Sequence, residues 1–248
     1  MIDRFPPRYL IPNSITGVSL IMALASILAS GRAAWEWAAW LVVWCALLDR
    51  VDGVVARAVR ATSEFGVQFD TLADLLAFCV APVLFVYLLL TQDPRYAPIY
   101  AGASARVLLQ FAAGAYVLCG ALRLARFNVQ ASAVGPGWSR GLPVTIAGGL
   151  VTTFVLAAWH VAWPAAVAIV PLLLLVLSGF MISNLWLPKS LGPRRPSLIP
   201  WQALGVIGVY ALGCAQRGAA ILFLVALAYP VIGFVAGALH PPSKRSAA

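Results

Sequence analysis

Apolar runs of roughly the twenty residues that a bilayer-crossing helix needs recur along this chain. Only short clusters of proline, glycine and charge interrupt them. Eight such runs can be read, at about 12–30, 35–58, 67–91, 102–127, 142–162, 164–184, 199–214 and 218–239. The breaks carry Gly31-Arg32, Gln92-Asp93-Pro94-Arg95, Gly135-Pro136-Gly137, Trp163-Pro164, Gly192-Pro193-Arg194-Arg195-Pro196 and Gln216-Arg217-Gly218. In hydrocarbon every backbone N–H and C=O must find a partner within the protein, so runs of this length fold as helices. With 62% hydrophobic and 10% charged residues, against about 25% charged in a soluble domain, the chain cannot cover its apolar surface with polar groups. The expected fold is all-α: a polytopic membrane helix bundle of about eight transmembrane helices.

Positive charge sets the expected orientation. With the N-terminus in the cytoplasm, that side receives Arg4, Arg8, Arg50, Arg57, Arg60, Arg123, Arg126, Arg140, Lys189, Arg194, Arg195, Lys244 and Arg245. The other side receives only Arg32, Arg95, Arg106 and Arg217, the bias of the positive-inside rule. Both termini then lie in the cytoplasm. The net charge of +9 reads as attraction to anionic headgroups, and no nucleic-acid partner is expected. Trp35, Trp37, Trp159 and Trp163 fall near outer span ends, and Trp186 and Trp201 near inner ends, as interfacial belts do. The first run is too long for the apolar part of a cleaved signal peptide, so it is expected to be retained. Cys45, Cys79, Cys119 and Cys214 lie apart, in or beside apolar stretches without metal-ligand spacing, and read as packing residues. His160 and His240 are assigned no role. An Arg- and Ala-rich composition with fifteen Arg and two Lys suggests a prokaryotic inner (cytoplasmic) membrane.

Against this apolar background the acidic residues stand out. Four of the eight are Asp49, Asp52, Asp70 and Asp74, at the end of the second run and the start of the third. Spacings of three and four put each pair on one helix face, and antiparallel helices would let the two faces meet. Four carboxylates near a membrane repel one another unless positive charge compensates, and divalent cations with oxygen ligands supply it. Two such ions can clamp a phosphoryl group and its leaving oxygen. The bland alternative is four unrelated, solvated helix-end acids.

The intervening residues decide between these. Asp49-Arg50-Val51-Asp52-Gly53-Val54-Val55-Ala56-Arg57, eight residues, then Gly66-Val67-Gln68-Phe69-Asp70-Thr71-Leu72-Ala73-Asp74 matches D-x2-D-G-x2-A-R-x8-G-x3-D-x3-D. This resembles the signature of the CDP-alcohol phosphotransferase family at every fixed position. Gly53 and Ala56 lack bulk, so a nucleotide can come close to the helix backbone. Arg57 offers a planar fork to phosphate, and Gly66 allows a close approach at the next helix. Within the family, Asp70 to Pro82 resembles the D-S-L-A-D-x-x-S-F-G-V-A-P run of phosphatidylserine synthases, with Ala77 and Cys79 in place of Ser and Gly. Cys119 to Asn128 resembles their C-G-x-x-R-L-A-R-F-N. Gly141-Leu142-Pro143, Ile11 to Thr16 and Met181 to Asn184 resemble their G-L-P, P-N-x-x-T and M-x-S segments. The likeness covers about 11–185 of a single domain spanning 1–248, with additional spans over 199–239.

The resemblance implies CDP-diacylglycerol as donor, L-serine as acceptor and a homodimer in the membrane lipid, with the site facing the cytoplasm. It implies two Mg²⁺ or Mn²⁺ ions on Asp49, Asp52, Asp70 and Asp74, with Asp74 also the base for the acceptor hydroxyl. Asp52, Gly53, Ala56, Arg57, Gly66 and Asn13 would hold the CDP-lipid. Arg123 and Arg126, three apart on one face, with Asn128, would meet the serine carboxylate or the lipid phosphate. Their alternative reading is an interfacial pair snorkelling to headgroups. The same chemistry on glycerol phosphate, inositol, inositol phosphate or choline stays open. A carboxylate-lined cation transporter is the remote alternative; its acids would be expected near the bilayer midplane on broken helices.

Overall fold

A computed structural model describes residues 10–58, 63–130, 138–188 and 199–239. The apolar runs are helices. They are α1 (Leu10–Gly31), α2 (Trp35–Ala58), α3 (Glu64–Asp74), α4 (Ala81–Gln92), α5 (Ala103–Gln130), α6 (Val144–Val161), α7 (Pro164–Ala168), α8 (Val170–Ile182), α9 (Ile199–Cys214) and α10 (Ala219–Leu239). Among the described residues, five stretches are long and apolar enough to cross a membrane: Asn13–Gly31, Glu64–Gln92, Ala103–Val129, Val144–Val161 and Ala219–Leu239. Ile21 on α1, Phe111 on α5, Leu172 on α8 and Leu224 on α10 are all more than 60% exposed. Apolar faces of that extent suit lipid and not water. The protein is an integral membrane helix bundle. Trp40, Phe78, Phe85, Leu89, Tyr116 and Leu156 are fully buried at its centre.

Prolines shape the helices, and polar groups from neighbours repair what they break. Pro82 has no N–H to give the carbonyl of Phe78 four residues back. The chain widens there into a π-helical turn, Leu75–Val80, between α3 and α4, and the Ala81 N–H reaches Leu76 O instead. The hydroxyl of Tyr116 on α5 donates to Phe78 O at 3.2 Å. Two glycines let the neighbouring helices close on this turn. A Cβ on Gly148 of α6 would lie 2.8 Å from Phe78 O, and one on Gly120 of α5 would collide with Cys79 Sγ. The sixth run, expected as one span over 164–184, is broken between α7 and α8 for a similar reason. Pro171 leaves Val167 O without its helical donor, and the Tyr100 hydroxyl supplies one at 2.8 Å.

One element departs from the all-α expectation. Trp138–Arg140 (β1) and Trp186–Pro188 (β2) form a two-stranded antiparallel ladder with Arg140 opposite Trp186. It ties the connection before α6 to the one after α8. Tyr229 of α10 donates to Pro188 O at 2.9 Å. The Trp186 carbonyl presses on Gly237 of α10, where any side chain would clash. α9 lies against α2: Tyr210 donates to Leu47 O at 2.8 Å and Trp44 Nε1 to Gly213 O at 2.9 Å.

The bundle's two ends differ. At the end away from the acidic motif, Asp93 accepts from Arg95 at 2.7 and 2.9 Å and from Trp159 Nε1 at 3.1 Å. Arg95 holds the Asp93 carboxyl below the usual carboxylate range. His160 faces Glu36 at 3.3 Å at this same end. The packing around the π-helical turn makes a pair of adjacent glycines behave differently. Gly148→Ala should destabilise the protein by about 1–3 kcal/mol through overpacking. Gly149, where an added methyl would meet nothing within 4 Å, should accept Ala within about 0.5 kcal/mol. Thermal unfolding in detergent measures both, and equal shifts would contradict the packing described.

Candidate active site

The acidic motif is assembled from α2 and α3. Ser63 caps α3, its hydroxyl accepting from the Gly66 N–H at 3.0 Å. A Cβ on Gly66 would sit 3.1 Å from both Ser63 Oγ and Asn13 Oδ1. Gly66 is therefore small where α1 and the cap both come close, and Asn13 and Gly66, expected in one subsite, are neighbours. From this start α3 runs back along α1 and brings its acidic face to the end of α2.

Asp49, Asp70 and Asp74 converge: one carboxylate oxygen from each lies within 4.8 Å of the others, and all three residues are half-buried. Asp52, Ala56 and Arg57 belong to the last turns of α2, and their side chains lie outside the described residues. Gly53 is half-buried on the same stretch. Hard carboxylate oxygens at this spacing are a donor set suited to Mg²⁺ or Mn²⁺, so the residues present fit such an ion.

Three further groups frame the cluster. From α6, the Thr145 hydroxyl donates to Asp49 Oδ2 at 3.3 Å. From α5, Asn128 Nδ2 donates to Thr71 Oγ1 at 2.9 Å. Thr71 stands between Asp70 and Asp74, and its own hydroxyl donates to Val67 O at 2.8 Å. Asn128 thus touches the acidic helix rather than projecting away from it. Also from α5, Arg123 is only 8% exposed, and its charge is felt by Asp74 and Asp49. It packs 5.0 Å from the Phe127 ring. Its Nε is buried with no hydrogen-bond partner among the described residues.

Arg126, one turn on, has different surroundings. Its Nη1 donates to Ile182 O at 2.8 Å, and its Nη2 to Ser183 O at 3.0 Å and Met181 O at 3.1 Å. Longer bonds reach Arg140 O and Asn184 Oδ1, both at 3.4 Å. The carbonyls of residues 181–183 are of the kind that a helix C-terminus leaves without N–H partners. The two arginines expected together at a substrate are divided: Arg123 beside the acids, Arg126 on the end of α8.

The family model for CDP-alcohol phosphatidyltransferase matches residues 9–188. The chain belongs to the CDP-alcohol phosphatidyltransferase family. It is 37% identical over 150 residues to CDP-diacylglycerol–serine O-phosphatidyltransferase of Helicobacter pylori, covering 60% of this chain and 59% of that protein. It is 30% identical over 181 residues to archaetidylserine synthase of Methanothermobacter thermautotrophicus, covering 72% and 70%. The Bacillus subtilis CDP-diacylglycerol–serine O-phosphatidyltransferase matches at 35% over 101 residues, 41% of this chain and half of that protein. The chain's match thus spans 59% of the length of the first of these relatives.

Thr145, Thr71 and Tyr116 join the site or its support without a sequence signal that singles them out. For Thr145 the available signal was a hydroxyl two residues after Gly141-Leu142-Pro143, at the start of a span. The division of the arginines has a measurable consequence. Arg126→Gln should lower thermal stability by about 1.5–3 kcal/mol, because charge-assisted bonds to carbonyls are lost. Arg123→Gln should cost less, because the burial penalty it relieves offsets the charge compensation that Asp74 and Asp49 lose. Unfolding midpoints in the reverse order would contradict these placements.

Proposed function

We propose that the protein transfers the phosphatidyl group of CDP-diacylglycerol to the hydroxyl of L-serine, giving phosphatidylserine and CMP. The observation that carries this reading is the convergence of Asp49, Asp70 and Asp74 within 4.8 Å beside the buried Arg123. Family membership and the names of the relatives support it.

Asp49, Asp70 and Asp74, with Asp52 of the same motif, would hold two Mg²⁺ or Mn²⁺ ions. Such ions, when bound, stabilise charge on the pyrophosphate and the departing CMP. Gly53 and Ala56 leave room for the cytidine part against α2, and Arg57 pairs with phosphate. Gly66 and Asn13 close that subsite from α3 and α1. Arg123 offers its Nε to the serine carboxylate, a contact that also compensates its own buried charge. Asp74 takes the proton of the serine hydroxyl as the oxygen forms its bond to the phosphatidyl phosphorus. The bond from that phosphorus to CMP breaks in the same displacement, and CMP leaves with its electron pair. The signature contains no Ser, Cys or His nucleophile, which agrees with direct attack.

The positive-inside bias supports a site facing the cytoplasm from a prokaryotic inner membrane. A homodimer is the assembly we propose, and 1–248 is read as one catalytic domain. A panel of alcohols offered with CDP-diacylglycerol to the purified protein tests the acceptor. Serine should give phosphatidylserine, and turnover with only glycerol phosphate, inositol phosphate or choline would overturn serine. In the same assay Asp74→Asn should cut turnover by about a hundredfold or more while CDP-diacylglycerol still binds. Equal loss of binding and turnover would remove the base assignment.

A further inference from the structure

Backbone groups tie the start of α6 to the end of α8. Gly141 N–H donates to Leu185 O and Leu142 N–H to Phe180 O, both at 2.9 Å. Gly141 has φ +69, in the left-handed region where glycine is unstrained. A Cβ there would lie 2.8 Å from Arg126 Nη2 and would collide with Met181 O. The guanidinium of Arg126 therefore sits behind this turn and gathers carbonyls from both of its sides, Arg140 on one and Met181 to Ser183 on the other. Pro143 follows with φ −61 and ψ 140 and starts α6 without a side-chain cap. Thr145 comes in the first turn of that helix, and its hydroxyl meets Asp49 Oδ2.

A carboxylate rotates readily about its last bond unless an oxygen is held. An ionised one accepts at about four lone-pair sites, so one hydroxyl bond fixes the plane and leaves acceptor capacity for a cation. Partners of this kind orient metal ligands from one step away. We infer that Thr145 is a positioning residue for Asp49, and that Arg126 sets Thr145 in place through the Gly141-Leu142-Pro143 turn. This rests on the reading that the acidic cluster binds a divalent cation.

The test is Mn²⁺ binding to the purified full-length protein in detergent, without substrate, read by the loss of the free-ion electron paramagnetic resonance signal. Thr145→Val should weaken Mn²⁺ binding by about tenfold or more without lowering the thermal midpoint, and Thr145→Ser should restore wild-type affinity. Should the valine variant fail to fold, Thr145→Ala replaces it. Arg126→Gln should weaken Mn²⁺ binding as well, and the double variant should lose less than the two single losses combined, as coupled sites do. Wild-type affinity in the folded Thr145→Val or Thr145→Ala protein would overturn the inference. A loss in Thr145→Ser as large as in the valine variant would also overturn it, because the hydroxyl would not be the agent. Wild-type protein that binds no Mn²⁺ would overturn the metal reading, and this inference with it.

Discussion

Like charge held together at a membrane surface is the constraint around which this fold is arranged. Two ionised carboxylates with oxygens within 4.8 Å of one another repel by about 3 kcal/mol or more at an effective dielectric of about 20. Asp49, Asp70 and Asp74 make three such pairs. α2 and α3 cannot hold that arrangement alone, and the other helices supply what it needs. Arg123 brings a buried positive charge from α5, Thr145 a hydroxyl from α6, and Asn128 a bond to Thr71, next to Asp70. α9 steadies α2 just before Asp49 through Tyr210 on Leu47.

The backbone just beyond the acids is irregular, and its irregularity has a covalent origin. Pro82 removes one N–H, the π-helical turn follows Asp74 directly, and Tyr116 satisfies the carbonyl left over. π-helical turns are frequent at functional sites. Here the widened turn carries Ala77 and Cys79, two of the three positions, with Thr71, that depart from the phosphatidylserine synthase pattern. Cys79 is accommodated because Gly120 faces it. The departure is thus absorbed in packing against α5, at the buried side of the turn.

Much of this was legible in the sequence, for physical reasons that also mark where legibility stopped. Hydrophobic length predicts helices in lipid because no other single-segment structure satisfies the backbone, so the runs and the described helices agree to within a few residues at most ends. The break between α7 and α8 hangs on one proline and a tyrosine far along the chain, which hydropathy does not register. The Asp spacings announced two acidic faces, but their approach depends on helix packing. Arg123 and Arg126 show the limit best. They share a residue type, a motif and a helix face, yet one meets the charge of Asp74 and the other a row of carbonyls from residues 181–183. Only the position of α8, more than fifty residues later, separates them. The short β1–β2 ladder was illegible for the same reason: three-residue strands have no period to detect.

The proposed function requires the acidic cluster to act through a divalent cation on a CDP-activated lipid. The direct measurement is CMP release from CDP-diacylglycerol by the purified protein, with serine present, as Mn²⁺ is titrated against a chelator. The expected result is no CMP in excess chelator, recovery as Mn²⁺ is restored, and no recovery at any Mn²⁺ concentration in Asp70→Asn. Undiminished CMP release in excess chelator would contradict it.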